Sequence, residues 1–269
     1  MKFYKVHELG NDFVLFDGRD VDHTDWIALT KRVCDRHTGV GADGVLILLN
    51  SAIASVRMRS IDANGSEAAT HTSGVRAFSR YCFENGVVFG TEFSVETEGG
   101  VVKPRILLKN GRVDGVRVDM GEPLLEAKDV PVAVEGRAIG MLLTEADRTF
   151  SFTSVRMGEP HTVVFVDHSD ENDVAKYGPM IACDPLFPER TNVDFVEVLS
   201  EERIRLRTWK RDSGYTLADG AGACSAAVAC ALSGKTGRSV TVELPLGTLR
   251  VEWSEADNRV SLTGPAESV

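Results

Sequence analysis

The sequence predicts an α+β fold made of two similar halves, and three observations predict it. Strand-like runs outnumber helix-like runs and follow no βαβ rhythm. The stretch Gly10-Asn11-Asp12-Phe13-Val14-Leu15-Phe16-Asp17 returns 148 residues later (from 10 to 158) as Gly158-Glu159-Pro160-His161-Thr162-Val163-Val164-Phe165-Val166-Asp167. The same displacement carries His71 onto Asp219. Each of these is followed by a small-residue helix, a glycine stop, an alternating strand and a glycine turn, at Gly99-Gly100 and at Gly247. The halves are expected at 1–125 and 126–269, with Pro131 to Glu145 leading into the second.

Taken in order, Phe13–Asp17 and Val45–Leu49 are short apolar runs, the pattern of buried strands. Asp25–Cys34 reads as a helix. Asp62-Ala63-Asn64-Gly65 reads as a strand end and a turn. Ser73–Glu84 reads as a helix with Val75, Phe78 and Cys82 on one face and Gly86 as its stop. Phe93–Thr97 and Val116–Met120 alternate as half-buried strands do. The second half offers strands at Thr162–Asp167, Asp194–Val198 and Val240–Leu244. Its Ala-rich helix, Gly222–Leu232, is stopped by Gly234. Both halves close on a strand and a proline, in Gly121-Glu122-Pro123 and Gly264-Pro265.

Composition narrows the function classes. The chain has 269 residues, 43% hydrophobic and 26% charged, with a net charge of −10. Those are the proportions of a soluble globular protein. No basic stripe is present, so no nucleic-acid partner is expected. No apolar run reaches membrane-spanning length and the N-terminus has no apolar signal core, so no membrane partner is expected. The five cysteines are odd in number and form no Cys-x-x-Cys, so neither a disulfide framework nor a metal site is expected, and the setting is expected to be cytoplasmic.

The chemistry is expected around His71 and Asp219, facing each other across one cleft where the halves meet. Thr72-Ser73-Gly74 and Gly220-Ala221-Gly222 are small-residue runs at helix starts, where a ligand approaches the backbone closely. A helix start offers unpaired N–H groups and positive dipole character, which suit a carboxylate. Holding that carboxylate also stabilises charge developing beside it as a proton leaves the next carbon. His71 and Asp219 are then placed for one to take a proton and the other to give one. The plain alternative is that both are ordinary helix caps.

Several of these stretches resemble the diaminopimelate epimerase family. They are His7-Glu8-Leu9-Gly10-Asn11-Asp12-Phe13, Arg36-His37-Thr38-Gly39-Val40-Gly41-Ala42-Asp43-Gly44-Val45-Leu46 and Asn64-Gly65-Ser66-Glu67-Ala68, then Gly158-Glu159-Pro160-His161, Arg190-Thr191-Asn192-Val193-Asp194-Phe195 and Gly214-Tyr215-Thr216-Leu217-Ala218. The resemblance implies halves that are each a mixed sheet around a central helix, a cleft between them and no cofactor. It places Asn11, Asn192 and Arg211 on substrate-binding positions and His161 on an assisting histidine. It also places His71 and Asp219 where the family carries its two catalytic thiols, so a two-thiol mechanism is not expected. Asp62, Glu159, Lys210 and Tyr215 differ from the family's usual residues. Asp62 and Glu159 favour a cationic group on the ligand, or else they salt-bridge Lys210 or Arg211. A second resemblance, to the phenazine-biosynthesis isomerase family, rests on a histidine and an aspartate at the two thiol positions. That family's pattern includes a catalytic Glu in the first half, for which Asp43 is the nearest acidic candidate.

Ordinary His and Asp pKa values lie near 6.5 and 3.9. A carboxylate is a weaker base than a thiolate, so the pair suits an activated substrate unless burial raises the aspartate. The expected function is a cofactor-independent isomerase moving a proton on a small amino acid or related carboxylic acid. Its catalytic residues are His71, Asp219 and His161. Its substrate-binding residues are Asn11, Asp62, Thr72, Ser73, Gly74, Glu159, Asn192, Arg211, Gly220 and Ala221. The alternatives are a racemase or epimerase using non-thiol bases, a lyase or cyclase on the same scaffold, and a non-catalytic ligand-binding protein. The protein is expected to be a monomer or homodimer.

Overall fold

The computed structural model describes residues 1–21, 24–67 and 72–269, with the side chains of Thr72 and Ser73 outside that description. The elements run β1 (Phe3–Glu8), β2 (Asn11–Asp17), α1 (Trp26–Cys34), β3 (Gly44–Leu49), β4 (Val56–Asp62), α2 (Thr72–Glu84), β5 (Val95–Thr97), β6 (Gly100–Val102), β7 (Arg105–Lys109) and β8 (Arg112–Gly121). They continue as β9 (Met141–Glu145), β10 (Arg148–Met157), β11 (Glu159–Phe165), α3 (Glu171–Ala182), β12 (Asn192–Ser200), β13 (Arg203–Lys210), β14 (Gly214–Thr216), α4 (Gly220–Leu232), β15 (Ser239–Leu244), β16 (Gly247–Trp253), β17 (Val260–Gly264) and β18 (Glu267–Ser268). The chain divides into two compact units, Met1–Asp119 with Thr263–Val269, and Met120–Leu262.

In the first unit the strand order is β18-β1-β2-β3-β4-β5-β6. The β1/β2, β3/β4 and β5/β6 pairs are antiparallel, and β2/β3 and β4/β5 are parallel. Parallel neighbours need a crossover, and α1 and α2 supply the two crossovers. Asp25 starts α1 by accepting the Ala28 N–H at 3.0 Å. The helix lays Trp26 and Cys34 on Val14, Phe16, Val45, Ile47 and Ile61. Strand β3, Gly-Val-Leu-Ile-Leu-Leu, is buried on both faces, as its unbroken apolar run requires. The C-terminal segment belongs to this unit because β18 pairs with β1, Val6 opposite Ser268.

The second unit repeats this plan. Its order is β16-β15-β13-β12-β11-β10-β9, with β14 on β13. The β10/β11, β12/β13 and β15/β16 pairs are antiparallel, and β11/β12 and β13/β15 are parallel. Helix α3 lays Val174, Tyr177, Ile181 and Ala182 on Phe150, Val164, Val193 and Phe195. Helix α4, Gly-Ala-Gly-Ala-Cys-Ser-Ala-Ala-Val-Ala-Cys-Ala-Leu, is apolar on every face and buried from Gly222 to Cys230. A helix without a polar face is stable only when packed all round, and α4 is the central helix of its unit.

The displacement of 148 seen in the sequence holds in the structure. It carries β2 onto β11 and α2 onto α4 end for end. It also carries Gly86 onto Gly234, each the positive-φ residue just past its helix (φ 66° and 64°), where a side chain would be strained. The fold class is therefore α+β, two pseudo-symmetric halves with the same strand order and sense.

Several elements lie outside what the sequence showed, β1, β9, β10 and β16 among them, and two have a clear physical reason. Helix α3 carries Gly178-Pro179, which reads as a breaker. Gly178 is there because a Cβ would stand 2.7 Å from Trp209 Cβ and Cγ, so the helix lies directly on β13. Strand β13 sets Arg203, Arg205 and Arg207 against Ile204 and Leu206, so half its residues are charged and it has no apolar run.

Candidate active site

One end of the second unit's sheet gathers the charged groups. Glu159 opens β11, Asn192 opens β12 and Lys210 closes β13, and the strand senses bring all three to the same edge. Asp219 stands at the start of α4, with extended backbone (φ −144°, ψ 111°).

Asp219 is the N-cap of α4. Its Oδ1 accepts the N–H of Ala221 at 3.0 Å and of Gly222 at 3.1 Å. Its Oδ2 is buried and has no hydrogen-bond donor among the described residues. Lys210 Nζ lies 3.2 Å from Oδ2 and forms an ion pair with it. Burial pushes the Asp219 carboxyl up. The Lys210 charge, with His161 and the Gly222 N–H, outweighs burial and holds the group below the ordinary aspartate value.

Lys210 is a clamp with two jaws, its ammonium also donating to Glu159 Oε2 at 2.7 Å. Burial pulls the lysine down, and Asp219 and Glu159 together raise it well above its ordinary value. Glu159 Oε2 also accepts from Asn192 Nδ2 at 3.0 Å. Burial raises the Glu159 carboxyl, but Lys210 and Asn192 leave it below the ordinary glutamate value. Of the two expectations for Glu159, the salt bridge to Lys210 is the arrangement present.

Behind this row lies a fully buried pair. His161 Nδ1 meets Asp194 Oδ2 at 2.7 Å, and Asp194 Oδ1 accepts from Thr208 Oγ1 at 2.6 Å. Asn192 Nδ2 stands 3.4 Å from His161 Nε2. With Nδ1–H given to Asp194, Nε2 is left as the acceptor. Burial pulls the His161 pKa down, but the Asp194 carboxylate outweighs it and the imidazole sits above its ordinary value. Gly222 makes room for this packing: a Cβ there would lie 2.7 Å from Asp194 Oδ1. Arg211 gives its backbone N–H to Asn192 Oδ1 at 3.0 Å and its Nη1–H to Glu189 O at 3.2 Å.

In the first unit, Asn11 opens β2 and Asp62 closes β4, the ends equivalent to Glu159 and Lys210. Asp62 Oδ2 accepts from Ser66 Oγ at 3.4 Å. Gly74 is buried in the first turn of α2. His71 lies outside the described residues, as do the side chains of Thr72 and Ser73. Asp43 accepts the Asp12 N–H at 3.0 Å and an Arg36 Nη2 hydrogen bond at 2.8 Å, within a cluster that Lys5 joins through Asp12. Among the described residues no three His, Cys, Asp or Glu side chains are grouped to hold a metal ion. No described helix is long and apolar enough to cross a membrane.

The structure thus brings Glu159, His161, Asn192, Asp219 and the Arg211 backbone into one cluster. It adds two residues absent from the site read in the sequence, Lys210 as the clamp and Asp194 as the partner of His161. Lys210 had a signal, since the 148-residue displacement carries Asp62 onto it. Asp194 had only the weak signals of an acid in a largely apolar strand and a place in the Arg190–Phe195 stretch.

Comparison with known proteins is consistent with this architecture. The family profile described as Diaminopimelate epimerase matches residues 3–126 and 153–269. The diaminopimelate epimerase of Moorella thermoacetica is 46% identical over 100% of this chain and 97% of its own length. That of Pelotomaculum thermopropionicum is 45% identical with the same coverage. The crystal structure of a Bacillus anthracis phenazine biosynthesis protein of the PhzF family superposes with a TM-score of 0.71, at 15% identity, over 100% of this chain and 98% of the other, a likeness of fold.

Proposed function

This chain belongs to the diaminopimelate epimerase family, and on that premise we propose a finer reading of its isomerase activity: it moves a proton on a small amino acid or related carboxylic acid, with Asp219 and His71 as the proton-transfer pair. The supporting observation is the division of labour within one carboxylate. Asp219 Oδ1 takes both cap hydrogen bonds, and the buried Oδ2 takes none among the described residues. An ionised oxygen held in place with an open lone pair is an acceptor for a substrate proton. Asp219 is then the base, and His71, which the repeat makes its counterpart, is the acid. His161, backed by Asp194, steadies charge beside Asp219. Asn11, Asp62, Glu159, Asn192 and Arg211 orient the ligand's polar groups. Thr72, Ser73, Gly74, Gly220 and Ala221 are the small residues along which the ligand carboxylate lies. No cofactor takes part in this reading, and the enzyme works in the cytoplasm as a monomer or homodimer.

A second reading, epimerisation of diaminopimelate itself by this non-thiol pair, is favoured by the 46% identity across the whole chain. Both are tested by proton NMR of a substrate panel in deuterium oxide, with diaminopimelate first and single amino acids after it. Loss of the α-proton signal with inversion of configuration supports epimerisation. Exchange without inversion, or a new ultraviolet chromophore, supports isomerisation. Ligand binding without exchange of any panel member overturns both.

A further inference from the structure

We propose that Lys210 is a positioning residue of this site, and that its ammonium, clamped between Glu159 and Asp219, keeps the two carboxylates ionised together and aims Asp219 Oδ2. The inference rests on the proposed role of Asp219, and it concerns a residue outside the proton-transfer pair.

The geometry has one cation serving two acids. Lys210 Nζ lies 2.7 Å from Glu159 Oε2 and 3.2 Å from Asp219 Oδ2. Three elements present titratable groups to Asp219. Strand β11 presents Glu159 and His161, β12 presents Asp194 beside Gly222, and β13 presents Lys210. Helix α4 adds the two cap N–H groups. His161 is already committed to Asp194 through Nδ1. Among the described residues, Lys210 is therefore the cation left to separate Glu159 from Asp219. Two carboxylates sharing a partly buried site without a cation cannot both stay ionised, and one of them takes up a proton. A protonated Asp219 is no longer a base.

Of the three N–H donors of the ammonium, one is given to Glu159 Oε2, and Asp219 Oδ2 lies 3.2 Å from the same nitrogen as an ion pair. The Lys210 side chain is 27% exposed, against 7% for Asp219, so the lysine keeps more contact with solvent than the acid it pairs with. The 3.2 Å separation places the ammonium beside Oδ2 without making it the acceptor.

The test is Lys210→Met, with Lys210→Gln as a second variant that keeps a hydrogen-bond donor but no charge. The carboxyl carbons of Asp219 and Glu159 are followed by carbon-13 NMR from pH 4 to 9, assigned with Asp219→Asn and Glu159→Gln. In the native protein both are expected to stay ionised above pH 5. In each Lys210 variant one of them is expected to titrate at least about one unit higher. The low-pH limb of kcat/KM is expected to move up with it, while Lys210→Arg leaves the limb in place. Titration curves unchanged in the variants overturn the inference. So does a native Lys210 ammonium whose nitrogen-15 signal shows free rotation and rapid exchange, a measurement that needs no variant to fold. Because the carboxyl titration needs no turnover, it stands apart from the proposed reaction. An Asp219→Asn enzyme that keeps its activity defeats the proposed function and leaves the Lys210 result to be read separately.

Discussion

Changing Gly222 to alanine would stabilise an ordinary helix by about 1 kcal/mol. Here the added Cβ would stand 2.7 Å from Asp194 Oδ1 and 3.3 Å from Asp219 Cβ and Cγ. Asp194 has little freedom to yield. Its Oδ1 holds Thr208 at 2.6 Å, its Oδ2 holds His161 at 2.7 Å, and the residue is fully buried. Either the first turn of α4 moves or the Asp194 carboxylate leaves one partner. Overpacking a tight interior costs about 1–3 kcal/mol. Losing a hydrogen bond to a charged group costs about 1.5–3 kcal/mol. Set against the helix gain, the net loss is about 0–2 kcal/mol for either route alone and about 1.5–5 kcal/mol if both costs apply. Urea denaturation reads it as a lower midpoint at unchanged slope. The His161 ring signals in NMR should shift, because its carboxylate partner has moved. A Gly222→Ala protein more stable than the native one by about 1 kcal/mol, with His161 unmoved, would refute the packing argument.

Two further outcomes follow from other parts of the molecule. Burial pushes the Glu8 carboxyl up to about 8, against the pull of Arg76 and the Ala77 N–H. Its unperturbed value is 4.5, so between those limits the folded chain binds more protons than the unfolded one, and stability falls as pH rises through that window. The melting temperature should drop from pH 5 to pH 8, and Glu8→Gln should flatten the slope; an identical slope in the variant contradicts the assignment. Of the five cysteines, Cys183 is exposed and Cys34, Cys82, Cys224 and Cys230 are buried. A thiol reagent should therefore modify one cysteine in the native state and leave activity intact, whereas loss of activity on that single modification would point to a thiol mechanism.

Much of the fold was legible because duplication writes itself twice. The helix starts at Thr72 and Gly220, the stops at Gly86 and Gly234 and the strands at Asn11 and Glu159 share one spacing. Chance rarely keeps a spacing across strand, loop and helix. Helix α3 was hidden because Gly178 answers to a distant partner, the Trp209 ring, and no local pattern reports that contact. The site was legible as residue types at helix starts and strand ends. The Glu159–Lys210 salt bridge was one of two readings that the sequence offered for Glu159. That His161 leans on Asp194 was not legible, because it depends on β11 lying beside β12. The cap role of Asp219 and its proposed catalytic role are also compatible, since the two oxygens of one carboxylate divide them.

The most direct measurement is substrate α-proton exchange in deuterium oxide by Asp219→Asn, beside the native enzyme. Asparagine caps a helix as well as aspartate does, so the fold and its melting transition should hold while the titratable group is gone. Exchange is expected to fall by about 10²–10⁴-fold. Exchange retained within a few-fold, on a protein that melts normally, would show that Asp219 only starts a helix.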